Sequence, residues 1–365
     1  MEDMGMSFQT GNNIKFWSAK KVLITGHTGF KGSWLSLWLE SMGAELRGVS
    51  LDAPTKPNMF EICSLVNFVD HKIADIRDFE TLCKLINEFK PDIIFHMAAQ
   101  SLVRLSYYQA AETFSTNIMG TVHVLEAARR SNSVKAIVNI TTDKCYENKN
   151  QNTSYSEKDP MGGNDPYSSS KACAELVSYA YRKSFLEKEG ISLATARAGN
   201  VIGGGDWATD RLVPDVLRAV ENNNTVEVRS PHAVRPWQHV LEPLYGYLLL
   251  AEKLFKDGAS YSESWNLGPL EKDTKPVGWV VDELCKLWGG DARWIMHSKD
   301  NLYEAQHLKL DISKAKQRLK WVPKWSLNDA LSKVVHWHKN YLDGSEMKAF
   351  SIQQINEYSL NVHER

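Results

Sequence analysis

Cysteine is scarce in this 365-residue chain: there are five, Cys63, Cys83, Cys145, Cys173 and Cys285, odd in number and widely spaced, with no C-x-x-C pair. That spacing suggests neither a disulfide framework nor a zinc site, and the thiols are expected to be buried packing residues in a reducing compartment. Long apolar runs are missing too, and none approaches the ~20 residues of a membrane span. The segment Met1–Trp17 is polar and acidic where a secretory signal needs a basic start and an apolar stretch. Neither sign of charge is in excess, with Lys and Arg totalling 43 against 44 for Asp and Glu. No overall field therefore exists to hold nucleic acid or an anionic membrane, and an anionic ligand has to be met by local charges. The expected setting is soluble and cytoplasmic, with a small molecule rather than nucleic acid or membrane as partner.

What is present is a hydrophobic share of 43%, enough for a substantial core and arranged in alternating strand and helix patterns. Lys21–Thr25 is a short β-branched run ending in glycines, and Ser33–Met42 sets Trp34, Leu35, Trp38 and Met42 at helical spacing. Glu45–Leu51 reads as a strand, Phe79–Phe89 as a helix, Asp92–Met97 as a strand and Asn117–Arg130 as a helix, and Ala136–Thr141 and Ser192–Arg197 are further strands. Strands separated by helix-length segments predict right-handed crossovers and an α/β fold, a doubly wound parallel sheet of the Rossmann type. After Arg197 turn-rich stretches and short elements such as Thr225–Val228 predict a smaller C-terminal substrate-binding domain. The expected division is an N-terminal extension at 1–18, a dinucleotide-binding domain at 19–199 re-entered around 238–268, a substrate-binding domain at 200–237 and 269–347, and a C-terminal tail at 348–365. The polar residues beyond Tyr341 are expected to be partly mobile.

Gly26-His27-Thr28-Gly29-Phe30-Lys31-Gly32 lies between the first strand and the first helix, the context in which such glycines bind phosphate. The first lets the strand turn sharply, the second lets backbone approach a pyrophosphate, and the third lets the helix pack closely with its positive end toward the phosphates. The set departs from G-x-G-x-x-G by one inserted residue. Asp52 closes the second strand 20 residues after Gly32, where a carboxylate accepts ribose hydroxyls and repels a 2′-phosphate, which favours NAD over NADP. Asp75-Ile76 ends the next extended stretch. Asp75 can bond an adenine amino group or cap the helix that follows, and the sequence leaves both open.

Tyr167 and Lys171 are four apart at the start of a helix that Asp165 can cap and Pro166 can begin, so both stand on one face. A phenol with a pKa of ~10 is a poor base at neutral pH, but a cation one turn away favours the phenolate, which can take a hydroxyl proton as hydride leaves the same carbon. Thr141-Thr142-Asp143-Lys144 lies at the carboxyl end of a strand, the edge where doubly wound folds place ligands, and Thr142 can share that hydroxyl.

Together, the Thr25-Gly26-x-x-Gly29-Phe30-x-Gly32 turn, the His96-Met97-Ala98-Ala99-Gln100 strand end, Asn117, Thr142 and Tyr167-x-x-x-Lys171 resemble the extended short-chain dehydrogenases/reductases that act on nucleotide sugars. The resemblance runs from about Lys20 to His338. It implies a redox triad of Thr142, Tyr167 and Lys171 and a tightly held NAD regenerated in every cycle. Implied cofactor contacts come from Thr25, Gly26, Thr28, Gly29, Phe30, Lys31 and Gly32, from Asp52, Asp75 and Ile76, and from Ala98, Ala99, Gln100 and Asn117, beside Tyr167 and Lys171.

An epimerase or reductase of this family needs little beyond the triad, whereas a 4,6-dehydratase also needs an acid and a base to eliminate water across carbons 5 and 6. Family dehydratases acting on dTDP-glucose carry Asp-Glu after the Thr, the Asp protonating the departing carbon-6 hydroxyl and the Glu removing the carbon-5 proton. Asp143 fits the acid, and Lys144 departs from the pattern at the base. An amine serves there only if burial or a neighbouring cation such as Lys171 lowers its pKa. Thr142-Asp143-Lys144 and the turn running on to Ser33-Trp34-Leu35 are similar to the CDP-glucose 4,6-dehydratases in particular. That resemblance implies CDP-glucose as substrate and deoxysugars of a bacterial surface polysaccharide, such as lipopolysaccharide O-antigen, as the end use.

A sugar nucleotide carries a pyrophosphate, so cations and amides should face it. Asn200, Arg211, Arg229 and Arg235 are candidates, and Gln100 is a further substrate-side candidate. Arg235-Pro236-Trp237-Gln238-His239-Val240 resembles the family segment that turns back toward the first domain with its arginine on phosphate, and it brings His239 toward the substrate. His27, His96 and His123 lack ligand-like spacing, so no metal is expected. Trp34, Trp38 and Trp288 read as core. The family resemblance also implies a homodimer, with tetramer open, built on 113–130 and 172–188. Three readings compete: a nucleotide-sugar epimerase, told apart by its product, another nucleotide-hexose 4,6-dehydratase, told apart by which sugar nucleotide it turns over, and a non-catalytic NAD-sensing protein, told apart by absence of turnover.

Overall fold

The computed structural model describes residues 15–150, 153–290, 292–296 and 306–360. Most of the expected N-terminal extension lies outside the described residues; of its last part, Phe16 and Trp17 are buried in the core. The first six strands are β1 (Lys21–Thr25), β2 (Glu45–Ser50), β3 (Val69–Ile73), β4 (Ile93–His96), β5 (Ala136–Ile140) and β6 (Ser192–Ala198). Beyond them lie β7 (Asn200–Ile202), β8 (Val226–Val228), β9 (Val234–His239), β10 (Ser264–Leu267), β11 (Thr274–Pro276) and β12 (Trp294–Met296). The main sheet has the order β10-β6-β5-β4-β1-β2-β3, and every pairing in it is parallel.

β4, β5 and β6 are buried along their whole length, the continuous apolar pattern of a sheet covered on both faces. The covering helices used below are α1 (Phe30–Ser41), α2 (Phe79–Phe89), α3 (Val103–Tyr108), α4 (Gly120–Arg130), α5 (Pro166–Tyr181), α6 (Leu241–Asp257), α7 (Leu327–Leu342) and α8 (Met347–Leu360). α2 shows how local sequence sets such an element. Asp78 caps it by accepting from Thr81 N, Leu82, Leu85, Ile86 and Phe89 bury one stripe, and left-handed Lys90 ends it. Each of those side chains contributes roughly 1.5–3 kcal/mol on full burial.

The strand order reverses between β1 and β4, and the crevice at the carboxyl ends there is the position in which open α/β sheets bind ligands. Besides the main sheet there are a three-stranded sheet, β11-β9-β7, and a β12-β8 pair, and β7, β8 and β9 contribute residues to the cleft. Among the described residues no helix is long and apolar enough to cross a membrane.

Two elements differ from the sequence expectation. The helix expected over Asn117–Arg130 is prefaced by Ala110–Phe114 and a widened turn of π geometry at Ser115–Met119, and α4 proper begins at Gly120. The expected tail forms α8, which buries Met347, Ser351, Gln354, Ile355 and Tyr358. Polar residues on that stripe are what hid it: the Tyr358 hydroxyl donates to Glu242 at 2.6 Å, and Trp337 Nε1 donates to Ser351 at 2.9 Å. Residues 361–365 of the tail lie outside the described residues.

Candidate active site

The reactive groups come from two neighbouring strand ends and the helix between them. Asp165 caps α5 by accepting from Ser168 N at 2.9 Å, and Pro166 opens the helix, which sets Tyr167 and Lys171 on its sheet-facing side. Lys171 Nζ donates to the Ile140 carbonyl at 3.0 Å, at the end of β5. Thr142 and Asp143 follow that strand. The Thr142 hydroxyl donates to Asp143 Oδ1 at 3.2 Å and is the hydrogen-bonding neighbour of the Tyr167 phenol.

Burial pushes the Tyr167 phenol up to about 12 against the opposing bond to Thr142, and pulls the Lys171 amine down to about 8 against the pull of Glu175. Helical spacing alone predicts a phenol lowered by Lys171. Burial instead dominates here, and the Lys171 amine is spent on the Ile140 carbonyl.

Asp143 is fully buried beneath the cleft wall, with its Oδ2 lacking a hydrogen-bond partner. Lys144 does reach the cleft, its Nζ lying 3.3 Å from Asp143 Oδ1 and 3.4 Å from Asn200 Oδ1. The cleft has a volume of about 610 Å³. Phe30, Lys31 and Ala99 line it on the side of the glycine turn, Thr142, Tyr167 and Lys171 in the middle, and Asn200, Arg211, Arg229 and Arg235 opposite. Arg211 donates to Asp206 at 3.0 Å and to Ser101 at 2.9 Å, and Arg235 donates to the Val234 carbonyl at 3.0 Å.

The glycine turn fits a dinucleotide. Gly26 has φ 77°, and a Cβ there would lie 2.7 Å from Ala98 N; one on Gly32 would lie 2.2 Å from the Gly26 carbonyl oxygen. The first turn of α1 opens at Gly29, which gives it no side-chain cap. Thr25 Oγ1 accepts from Met97 N at 3.1 Å and Ala98 N at 3.2 Å and so joins β1 to the β4 end, while the Thr28 hydroxyl bonds Ser50 at 2.7 Å and holds the turn beside the strand end that carries exposed Asp52.

Asn117 accepts from Gln100 N at 2.9 Å and fixes the 98–100 backbone. Ile76 packs under Gly120. Asp75 does not cap α2, since Asp78 does; its carboxylate instead accepts from Arg77 Nε at 3.0 Å.

The sequence profile of the GDP-mannose 4,6-dehydratase family matches residues 23–334. The chain belongs to this family. It is 55% identical over 348 residues to the CDP-glucose 4,6-dehydratase of Salmonella typhimurium, covering 94% of this chain and 97% of that enzyme. It is 26% identical over 352 residues to the dTDP-glucose 4,6-dehydratase of Xanthomonas campestris, covering 88% and 96%. Among solved structures, a dTDP-glucose 4,6-dehydratase of Streptomyces venezuelae with NAD bound superposes with TM-score 0.75 at 24% identity, covering 90% of this chain and 99% of that one. A UDP-glucose 4-epimerase of Thermotoga maritima gives 0.77 at 22%, covering 88% and 99%. These two likenesses establish the Rossmann-type fold.

Two sequence expectations for this family member are corrected. The Gln100 amide is turned from the cleft: its Nε2 donates to the Leu102 carbonyl and the Thr113 hydroxyl, each at 3.0 Å, so the side chain serves the 100–102 turn rather than a substrate. His239 sits in the core against Trp34 and Trp325, away from the cleft wall. His96 is also packing, bridging Thr25 and Thr121, and burial lowers it to about 3. Among the described residues no group of three His, Cys, Asp or Glu side chains could hold a metal ion.

Three functional neighbours escaped the sequence reading. Asp206 and Asp210 hold the cleft arginines, and the Gly203-Gly204-Gly205-Asp206 run was the available signal. Buried Glu175, one turn past Lys171, accepts from Arg197 and Thr195 at 2.7 Å and Thr141 at 2.5 Å, partners from strands too distant in sequence to be foreseen.

Proposed function

We propose that this chain is an NAD-dependent 4,6-dehydratase that converts CDP-glucose to CDP-4-keto-6-deoxyglucose. The observation that carries the reading is the convergence of two sets: Thr142, Tyr167 and Lys171 line the cleft for redox chemistry, and Lys144 lines it beside them with buried Asp143 3.3 Å behind its amine, for elimination. The 55% identity to the Salmonella typhimurium CDP-glucose enzyme supports the choice of nucleotide and sugar.

The Gly26–Gly32 turn, Asp52 and the Asn117-held 98–100 backbone would hold NAD, whose chemistry when bound is reversible hydride transfer. Tyr167 takes the proton of the carbon-4 hydroxyl, with Thr142 orienting that hydroxyl and the Lys171 ammonium favouring the phenolate. The carbon-4 ketone makes the carbon-5 proton acidic. For the elimination, Lys144 removes the carbon-5 proton while Asp143 protonates the departing carbon-6 oxygen. Lys144 then returns its proton to carbon 5. The balance leaves Tyr167 one proton rich and Asp143 one proton poor, and the Thr142 hydroxyl, which contacts both, is the route that restores them.

Asn200, Arg211, Arg229 and Arg235 face the diphosphate. The residues at 200–237 and 269–347 serve as the substrate-binding part. Five unpaired thiols fit a reducing cytoplasmic setting, and deoxysugar supply to a bacterial surface polysaccharide fits the product. A homodimer is part of the proposal: Leu176 and Tyr179 on α5 and Met119 beside α4 form an exposed apolar stripe, with Leu176 59% and Tyr179 58% exposed. Incubation with CDP-glucose tests the function. A product lighter by one water that absorbs in strong base is expected; a product of unchanged mass would mean epimerisation, and tight NAD binding without turnover would mean a sensor.

A further inference from the structure

Two arginines on opposite walls of the cleft converge on one carboxylate. Arg104, on α3 beside the main sheet, places Nε 3.4 Å from Asp210 Oδ1, and Arg229, just after β8, places a guanidinium nitrogen 3.1 Å from the same oxygen. All three residues line the cleft. Asp210 is held with φ 58° in the segment before Arg211, and its side chain is 43% exposed. Asp206 differs: its side chain is 7% exposed, and among the described residues its salt bridge is to Arg211. The Asp210 contact is thus the more exposed and exchangeable one, and it joins an arginine of α3 to one just after β8.

We propose that Asp210 is a placeholder for the diphosphate of the nucleotide. In the free protein its carboxylate keeps the Arg104 and Arg229 guanidinium groups converged, and an arriving diphosphate takes that position and ties the two walls together. This rests on the nucleotide-sugar reading above and adds the competition to it. A half-exposed ion pair is worth little, so exchange is easy, whereas a diphosphate presents more acceptor oxygens and more charge to both guanidinium forks. Asp210 thereby orders the arginines in advance at the expense of some affinity. Asparagine tolerates a positive φ as aspartate does, so Asp210→Asn removes the charge and leaves the backbone.

Calorimetric titration of the NAD-supplemented full-length protein with CDP and, separately, with cytidine tests the proposal. Asp210→Asn should bind CDP roughly two- to tenfold more tightly than the natural sequence and bind cytidine unchanged. Asp257→Asn, which breaks a surface pair with Lys253 on α6, should change neither. CDP affinity that is unchanged or weakened in Asp210→Asn would overturn the placeholder role, as would a matching gain for cytidine. Failure of the natural sequence to bind CDP at all would instead overturn the nucleotide reading beneath it.

Discussion

Lys171 and Ile140 are joined by a 3.0 Å hydrogen bond from the lysine ammonium to the main-chain carbonyl, and this contact locks α5 onto the end of β5 one turn away from Tyr167. The phenol is therefore positioned by the sheet, while burial keeps it protonated in the free protein. In the proposed cycle it acts as a base only once the ligands have entered.

Tyr167→Phe should cut turnover by roughly 10²–10⁴-fold and leave dinucleotide binding intact. Steady-state rates together with fluorescence titration of NADH check this. Near-normal turnover would remove Tyr167 from the redox step.

Asp143→Asn should still oxidise carbon 4, seen as absorbance of NADH in a single turnover, while loss of water slows by roughly 10²–10⁴-fold. Equal slowing of both steps would contradict its place as the acid. Lys144→Ala should fail at the same stage, and near-normal turnover would remove Lys144 as the base.

Lys31 lines the cleft with its amine 3.2 Å from the Tyr247 hydroxyl and, among the described residues, no ion-pair partner. Burial and the charges of Lys171 and Arg211 lower it from 10.5 to about 7. As pH falls through that window the unfolded chain binds the proton first, so stability is lost between about 10.5 and 7 and the whole penalty is present below. Lys31→Met should therefore stabilise dinucleotide-free protein at neutral pH by roughly 1–3 kcal/mol, with the gain vanishing at alkaline pH. Urea denaturation at several pH values measures it, and a variant less stable at pH 7 would contradict the assignment.

If the proposed homodimer is built on the exposed stripe of α5, Tyr179→Glu should shift it to monomer in analytical ultracentrifugation. An unchanged dimer would place the interface elsewhere.

The local devices were legible in the sequence. The glycine turn, the Asp165-Pro166 start of α5 and the Tyr167/Lys171 spacing depend on residues a few positions apart, and the strand–helix alternation gave the parallel sheet. Contacts set by tertiary packing were not legible. The Gln100 amide was drawn to its own turn and His239 into an aromatic core. Burial raised the Tyr167 phenol, and what opposes it is the bond to Thr142 and the charge of Arg211, not the lysine that helical spacing places one turn away. Glu175, Asp206 and Asp210 act through partners that only the folded chain brings near. α8 was hidden because its buried stripe mixes Ser351 and Gln354 with Ile355 and Tyr358.

In the proposed cycle hydride leaves carbon 4 and returns at carbon 6 within one bound sugar nucleotide. Incubation with CDP-glucose carrying deuterium at carbon 4, followed by NMR of the product, tests it directly. Deuterium in the carbon-6 methyl group of a 4-keto sugar is the expected result. Deuterium retained at carbon 4 of an epimer, or a recovered substrate with its label undisturbed, would contradict it.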